Sequence, residues 1–308
     1  MPFFSIIIPV FNKEQFIAKT LKSVLDQSFA DFEIIIINDG STDQSGAKIL
    51  DYKDPRIHYF SKGNEGVAIA RNSGIDKAKG EYICFLDADD YWYPDFLKTL
   101  YTYIQKLPEQ KVFATAIEIE TKNNCLPAHY SISKNSEFEI VNFFEASQKE
   151  CVLWTSSIAI HQSILKTLGG FDTQIKKCED TELWIRIGLH YPIVFIWQVL
   201  AKYGYDESSI SRNWNYFFEP YTFDKYALLE KQNPKLKQYI DLNRFSAVIK
   251  CKLNGDSKRA QEIYSEIEMK SLTWKKRILL KIPAFVLKTL IEFQKSTTNI
   301  GLGNSVFR

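Results

Sequence analysis

Apolar and polar positions along the chain alternate between two periods. Phe4-Ser5-Ile6-Ile7-Ile8 is a short continuous apolar run ended by Pro9, the pattern of a strand buried on both faces. Between Lys13 and Asp26, Ile17, Leu21, Val24 and Leu25 recur at helical spacing and predict an amphipathic helix. Residues 32–37 predict a second buried strand, ended by the turn signal Asn38-Asp39-Gly40-Ser41. Residues 43–52 suit a short helix and residues 57–60 a third strand. Gly63-Asn64-Glu65-Gly66 then breaks the chain before a helix over 66–78. The apolar run Tyr82-Ile83-Cys84-Phe85-Leu86 predicts a fourth strand. Pro94 suits the first turn of a helix that carries Phe96, Leu97, Leu100 and Ile104.

Strand and helix alternating at this spacing predict an α/β fold. Its sheet is mainly parallel and doubly wound, with helices on both faces and right-handed crossovers. Ligands bind such sheets beyond the carboxyl ends of the strands. Residues 9–12, 38–39 and 87–90 each follow a strand, so they are expected to meet along one edge. Asp87-Ala88-Asp89-Asp90 puts three carboxylates into four positions there. Such a cluster repels itself unless a hard cation, Mg²⁺ or Mn²⁺, shares its oxygens; otherwise it is a solvated turn that caps the next helix. The turn after the first strand has no glycine, and no GxxxxGK[ST] loop occurs, so neither standard phosphate-binding motif is present. A nucleotide bound at this edge would need other groups. Asp39 could accept from a base N–H, Phe11 could stack on the base and Arg71 could approach a phosphate. Equally, Asp39 could form an Asx turn, Phe11 could lie in the core and Arg71 could be a solvated helix residue.

Composition narrows the classes without choosing a chemistry. The 308 residues are 45% apolar and 25% charged, with a net charge of only +2, so nucleic acid is not expected as a partner. The five cysteines are odd in number and widely spaced with no CxxC pair, which points to reduced thiols and a cytoplasmic location. The four histidines are scattered, which argues against zinc. No basic leader and no apolar run of about 18 residues occur, so neither a signal peptide nor a spanning helix is expected.

In the middle of the chain, residues 112–120 could be a further strand, whereas residues 121–150 are polar and define no element. Trp154 suits the core better than a sugar face. After the turn Gly169-Gly170-Phe171-Asp172, an apolar helical face of Leu183, Trp184 and Ile187 follows Glu179 and Asp180. Acids at a helix start favour the macrodipole and Asp is a good N-cap, so their position alone does not require chemistry. Arg186 suits a structural ion pair. Beyond about residue 215 the composition turns helical and basic. Residues 271–295 hold six basic residues against one acid, interleaved with Trp274, Ile278, Leu279, Leu280, Phe285 and Leu287. Such a segment either lies on an anionic membrane surface or packs on the rest of the protein.

Four motifs in order raise a resemblance. They are Ser5-Ile6-Ile7-Ile8-Pro9-Val10-Phe11-Asn12, Asn38-Asp39-Gly40-Ser41-Thr42-Asp43, Gly66-Val67-Ala68-Ile69-Ala70-Arg71-Asn72-Ser73-Gly74 and Leu86-Asp87-Ala88-Asp89-Asp90. Together they resemble the family 2 glycosyltransferases over about residues 4–215. That likeness implies a GT-A fold and inverting, metal-dependent transfer of one hexosyl or N-acetylhexosaminyl group from a UDP-sugar. The acceptor would be a saccharide or lipid-linked saccharide in cell-surface polysaccharide assembly, reached at the inner face of the cell membrane. By the same likeness, Pro9, Phe11 and Glu14 contact the nucleoside, Asp39 reads the uracil edge, and Arg71 and Arg212 contact the donor. Asp87 and Asp89 form the DxD pair, with Asp89 the direct ligand of Mn²⁺ or Mg²⁺; Asp90 is left between that role and helix capping. Asp180 is the base, and Glu179 supports the acceptor or the base. The resemblance divides the chain into a catalytic domain, 1–215, and a helical extension, 216–308. Within the domain, 1–105 is the nucleotide-sugar half and 106–215 the acceptor half. Tyr203 or Tyr205 stands where a histidine is often found in this family, and the Gln-x-x-Arg-Trp motif of processive synthases is absent. A nucleotidyltransferase, or an inactive glycosyltransferase-like binding or scaffold protein, is the competing reading.

Overall fold

β1 (Phe4–Val10) is the strand on which the sheet is built, buried along its whole length and paired on both sides. A computed structural model describes residues 1–206 and 220–299, with side chains to Ile291. Beside β1 lie β2 (Phe32–Asp39), β3 (Ile57–Lys62) and β4 (Tyr82–Phe85), all four mutually parallel in the order β3-β2-β1-β4. Side-chain alternation then selects the layers. Phe4, Ile6 and Ile8, with Ile34 and Ile36 of β2, face helices Ile17–Leu25 and Phe96–Lys106. Ile7, Ile35 and Ile37 face the opposite layer, with helices Val67–Lys77 and Glu179–His190. Two covered faces explain why the strands read as unbroken apolar runs. Gly74 sits so close to β1 that an added Cβ would lie 2.4 Å from Ile7 Cγ2, so this layer needs glycine there.

Past β4 the sheet becomes mixed. β5 (Tyr91–Trp92), β6 (Val112–Glu120), β7 (Cys125–Pro127), β8 (Phe138–Val141), β9 (Ile158–His161) and β10 (Ile193–Tyr203) complete it, in the order β4-β9-β6-β10-β5. β9 is antiparallel to both β4 and β6, whereas β6 and β10 are parallel. The polar stretch 121–150 contributes β7, β8 and the short helix Phe143–Ala146, elements that its composition did not announce. No expectation above covers β10, although Ile193-Val194-Phe195-Ile196-Trp197 is an unbroken apolar run of the same kind; its pairing with β6 shifts register between Ile196 and Ala201.

Helices follow from Asp224 onward. Phe223, Tyr226, Leu236, Tyr239 and Ile240 pack into the same core as Phe143, Phe144 and Leu183. Helix Pro234–Leu253, capped by Asn233, then carries Phe245, Val248 and Ile249 into a separate core with Leu279, Leu280 and Leu287. This helical region is therefore fastened to the sheet by its first third and builds its own core from the remainder.

Candidate active site

The parallel strands bring their carboxyl ends to one edge, and the turns that leave them touch. Asn12, in the left-handed region at φ 52°, accepts from the Thr42 N–H at 2.8 Å, while its own N–H donates to Ser41 Oγ at 3.1 Å. The turns after β1 and β2 are thereby locked together. Phe11 is 45% exposed at this edge, which excludes a core role and leaves its face open to a ligand. Pro9 is buried within β1 opposite Ile37. The Glu14 carboxylate accepts from the Gln44 N–H at 2.9 Å and holds the start of helix Ser45–Leu50.

Asp39 is buried and makes no Asx turn. Its two oxygens accept from the backbone N–H groups of Glu65, at 3.1 Å, and Gly66, at 2.8 Å, and from Lys62. These two amides lead into helix Val67–Lys77, so Asp39 fixes the start of the helix that carries Arg71.

Arg71 is 4% exposed, contrary to the solvated alternative, and is the hub of the site. Nη2 donates to Asp87 Oδ1 at 2.7 Å and Nη1 to Glu179 Oε1 at 2.8 Å. The guanidinium also lies 5.1 Å from the centroid of the Phe171 ring. Burial opposes its charge, but Asp87 and Glu179 outweigh burial and hold its pKa above the ordinary value. Phe171 is fixed in turn by Asn72, whose side-chain amide donates to its C=O and accepts from its N–H, each at 2.8 Å. One turn of helix thus presents Arg71 to the carboxylates and clamps the loop leading to Glu179.

The acidic loop divides its three carboxylates among three tasks. Asp87 binds Arg71. Asp89 Oδ2 accepts from Lys13 Nζ at 2.6 Å, and the same ammonium donates to Asp206 Oδ2 at 2.6 Å. Burial raises the Asp89 pKa, Lys13 opposes that rise and Asp87 reinforces it. Asp90 is fully buried. Its Oδ2 accepts from Ser156 Oγ at 2.6 Å and its Oδ1 from the Gly204 N–H at 2.9 Å. Burial, with Asp89 and Asp87 beside it, pushes its carboxyl well above the usual range. Asp90 therefore joins the acidic loop to the turn before β9 and to the residue that follows β10. The approach at Gly204 is so close that a Cβ there would meet Asp89 O at 1.9 Å.

At the far side of Arg71, Cys178 adopts φ 68° and starts helix Glu179–His190. Glu179 is buried, and its pKa is raised by burial and by Asp180 against the opposing pull of Arg71. Asp180 is half-buried and contributes to the field on Arg71, while its Oδ1 accepts from the Thr181 N–H and, at 3.2 Å, from Thr181 Oγ1. One turn on, Glu182 accepts from Arg186 Nη2 at 2.7 Å and Tyr226 OH at 2.8 Å, and pairs with Lys225. Arg186 also donates to the Leu168 and Gly170 carbonyls at 2.7 and 2.6 Å, which makes it a structural pair as expected. Trp154 is half-buried, edge-on to Tyr203 at 4.9 Å. Arg212 lies outside the described residues.

Lys13, Ser156 and Asp206 belong to this site, and sequence reasoning passed over them. Lys13 directly follows the Ser5–Asn12 motif, but a single lysine has no spacing signature. Ser156 and Asp206 reach the acidic loop only through the positions of β9 and β10. Among the described residues, no three His, Cys, Asp or Glu side chains converge as a metal cage.

Known proteins resemble both the chain and its fold. An uncharacterized glycosyltransferase of Rickettsia felis is 35% identical over 236 residues, covering 73% of this chain and 35% of that relative. One from Rickettsia typhi is 31% identical over 207 residues, covering 65% of this chain and 63% of its own length. The chain thus spans about a third of the first relative and under two thirds of the second. In three dimensions, S. aureus TarS 1–349 in complex with UDP-GlcNAc superposes with a TM-score of 0.65 at 19% identity, covering 97% of this chain and 79% of TarS 1–349. That likeness establishes the GT-A type of fold. The model of glycosyl transferase family 2 matches residues 5–169 and stops short of Glu179 and Asp180. With more than half of its residues covered by that model, the chain belongs to glycosyl transferase family 2.

Proposed function

We propose that this protein is an inverting glycosyltransferase that moves one sugar from a UDP-sugar to a hydroxyl of a saccharide or lipid-linked saccharide. The observation that carries the reading is the Arg71 bridge. It ties Asp87, at the donor edge of the sheet, to Glu179, beside Asp180, so that two acidic motifs far apart in sequence share one buried cation. The bound UDP-GlcNAc of the structurally similar TarS supports the donor class.

The residues present suit Mn²⁺ or Mg²⁺ held jointly with a donor. Asp87 and Asp89 offer hard oxygens from two carboxylates, the number from which such an ion is completed by substrate phosphates and water. When bound, the ion would neutralise charge developing on the diphosphate leaving group. Phe11 offers an exposed ring at the strand edge for the base, and Asp39, at the end of β2, would accept from the base N–H. Asp180 takes the proton from the acceptor hydroxyl as it attacks the anomeric carbon from the face opposite the diphosphate. The C–O bond to the diphosphate breaks as the new glycosidic bond forms, and the anomeric centre inverts. Glu179, held by Arg71, fixes the first turn of the helix that presents Asp180. A positioned general base contributes about 10²–10⁴-fold.

Release of UDP from a panel of UDP-sugars, with and without Mn²⁺, tests the reading. Turnover with at least one donor is expected, falling about 10²–10⁴-fold in Asp180→Asn. No turnover with any donor, or turnover unchanged in Asp180→Asn, overturns it.

A further inference from the structure

Residues 271–291 contain five basic residues and no acid. The chain folds them into helix Trp274–Lys281 and the start of helix Ala284–Asn299, broken at Pro283. One face packs inward. Leu279, Leu280 and Leu287 are buried with Phe245, Val248 and Ile249 of helix Pro234–Leu253. Lys252 Nζ closes the end of the first helix by donating to Leu280 O at 2.8 Å and Ile282 O at 2.6 Å. Packing on the protein therefore accounts for half of this surface.

The other half faces outward and is ordered. Trp274, Arg277, Ile278 and Lys281 fall at helical positions i, i+3, i+4 and i+7, and all are exposed. Phe285 and Lys288 repeat the pattern at i and i+3 on the second helix. Trp274, Ile278 and Phe285 are 67, 49 and 74% exposed, large apolar groups that folding leaves in water. Basic side chains stand between them throughout. An apolar ridge interleaved with cations and free of carboxylates is complementary to a sheet of lipid headgroups, where rings reach the acyl boundary and basic side chains meet anionic groups. No helix among the described residues is long and apolar enough to cross a membrane, so the contact would be peripheral.

We propose that this stripe docks the protein on an anionic lipid surface. The helix packing holds the stripe rigid before contact, so binding needs no coupled folding. Docking is independent of the enzymatic reading, because vesicle binding is measured without turnover.

Flotation of the full chain with phosphatidylglycerol-containing vesicles and with pure phosphatidylcholine vesicles is the test. Binding to the anionic vesicles is expected, weakened by 0.5 M salt and reduced at least about tenfold on phosphatidylcholine. Lys281→Gln and Lys288→Gln are each expected to weaken it about fivefold. Trp274→Ser/Ile278→Ser/Phe285→Ser is expected to abolish it while thermal unfolding keeps its midpoint, because these side chains are exposed. Absence of binding to anionic vesicles, or binding unchanged in the triple variant, overturns the proposal. So does light scattering that shows a dimer in lipid-free solution that the triple variant dissociates, since a second copy would then be the occupant.

Discussion

Lys13 and Asp89 form an ion pair at 2.6 Å that joins the turn after β1 to the acidic loop after β4. The ammonium occupies an oxygen of the carboxylate that the family resemblance assigns to metal, and it reaches Asp206 at the same time. An internal cation thus neutralises Asp89 until something displaces it. Lys13→Met removes both the competition and the repulsion. It is expected to tighten Mn²⁺ binding, measured by electron paramagnetic resonance of the free ion, by about three- to tenfold for a partly exposed pair. Equal or weaker binding would show that Lys13 does not compete with the ion.

Arg71 pairs with both Asp87 and Glu179, and among the described residues it is the one guanidinium that does so. Removing one partner of a buried pair strands the other charge, so Arg71→Gln is expected to cost about 3–5 kcal/mol in urea unfolding. Asp180→Asn should leave unfolding unchanged within error, because the asparagine oxygen still accepts from the Thr181 N–H. Equal destabilisation by the two substitutions would contradict this division of roles.

Asp90 serves structure. Asp90→Ala leaves Ser156 Oγ and the Gly204 N–H without their buried acceptor, at about 1–3 kcal/mol for each. Gly204→Ala forces the end of β10 away from Asp89 O and is expected to lower the melting temperature as well. Thermal scans of the two variants check both statements.

Glu182 makes stability depend on acid. Burial raises its pKa, but Arg186, Lys225 and Tyr226 outweigh burial and leave it below the ordinary value of 4.5. A carboxylate with a lowered folded-state pKa stabilises the fold above its unfolded pKa, and that contribution fades as pH falls through the folded value. The stability gap between wild type and Glu182→Gln should therefore be widest near neutral pH and narrow below about 4.5. Urea titrations from pH 7 to 3 measure it. A gap constant with pH would mean that the Glu182 charge contributes nothing.

The sequence by itself determined the parallel half of the fold. Continuous apolar runs at β1, β2 and β4 specify strands covered on both faces, and the helices between them force the strand ends to one edge. That geometry is why Phe11, Asp39, Arg71, Asp87 and Asp89 group together from the sequence. Local pattern could not assign partners, because one carboxylate looks like the next in sequence. Tertiary structure gave Asp87 to Arg71, Asp89 to Lys13, Asp90 to Ser156 and Gly204, and Glu14 to the Gln44 N–H. It also packed one face of the basic helices and left Trp274, Ile278 and Phe285 exposed. The physical reason is the same in each case. Apolar periodicity acts between near neighbours in sequence, whereas the pairing of buried charges depends on which distant segments the finished sheet and helices bring within hydrogen-bond reach.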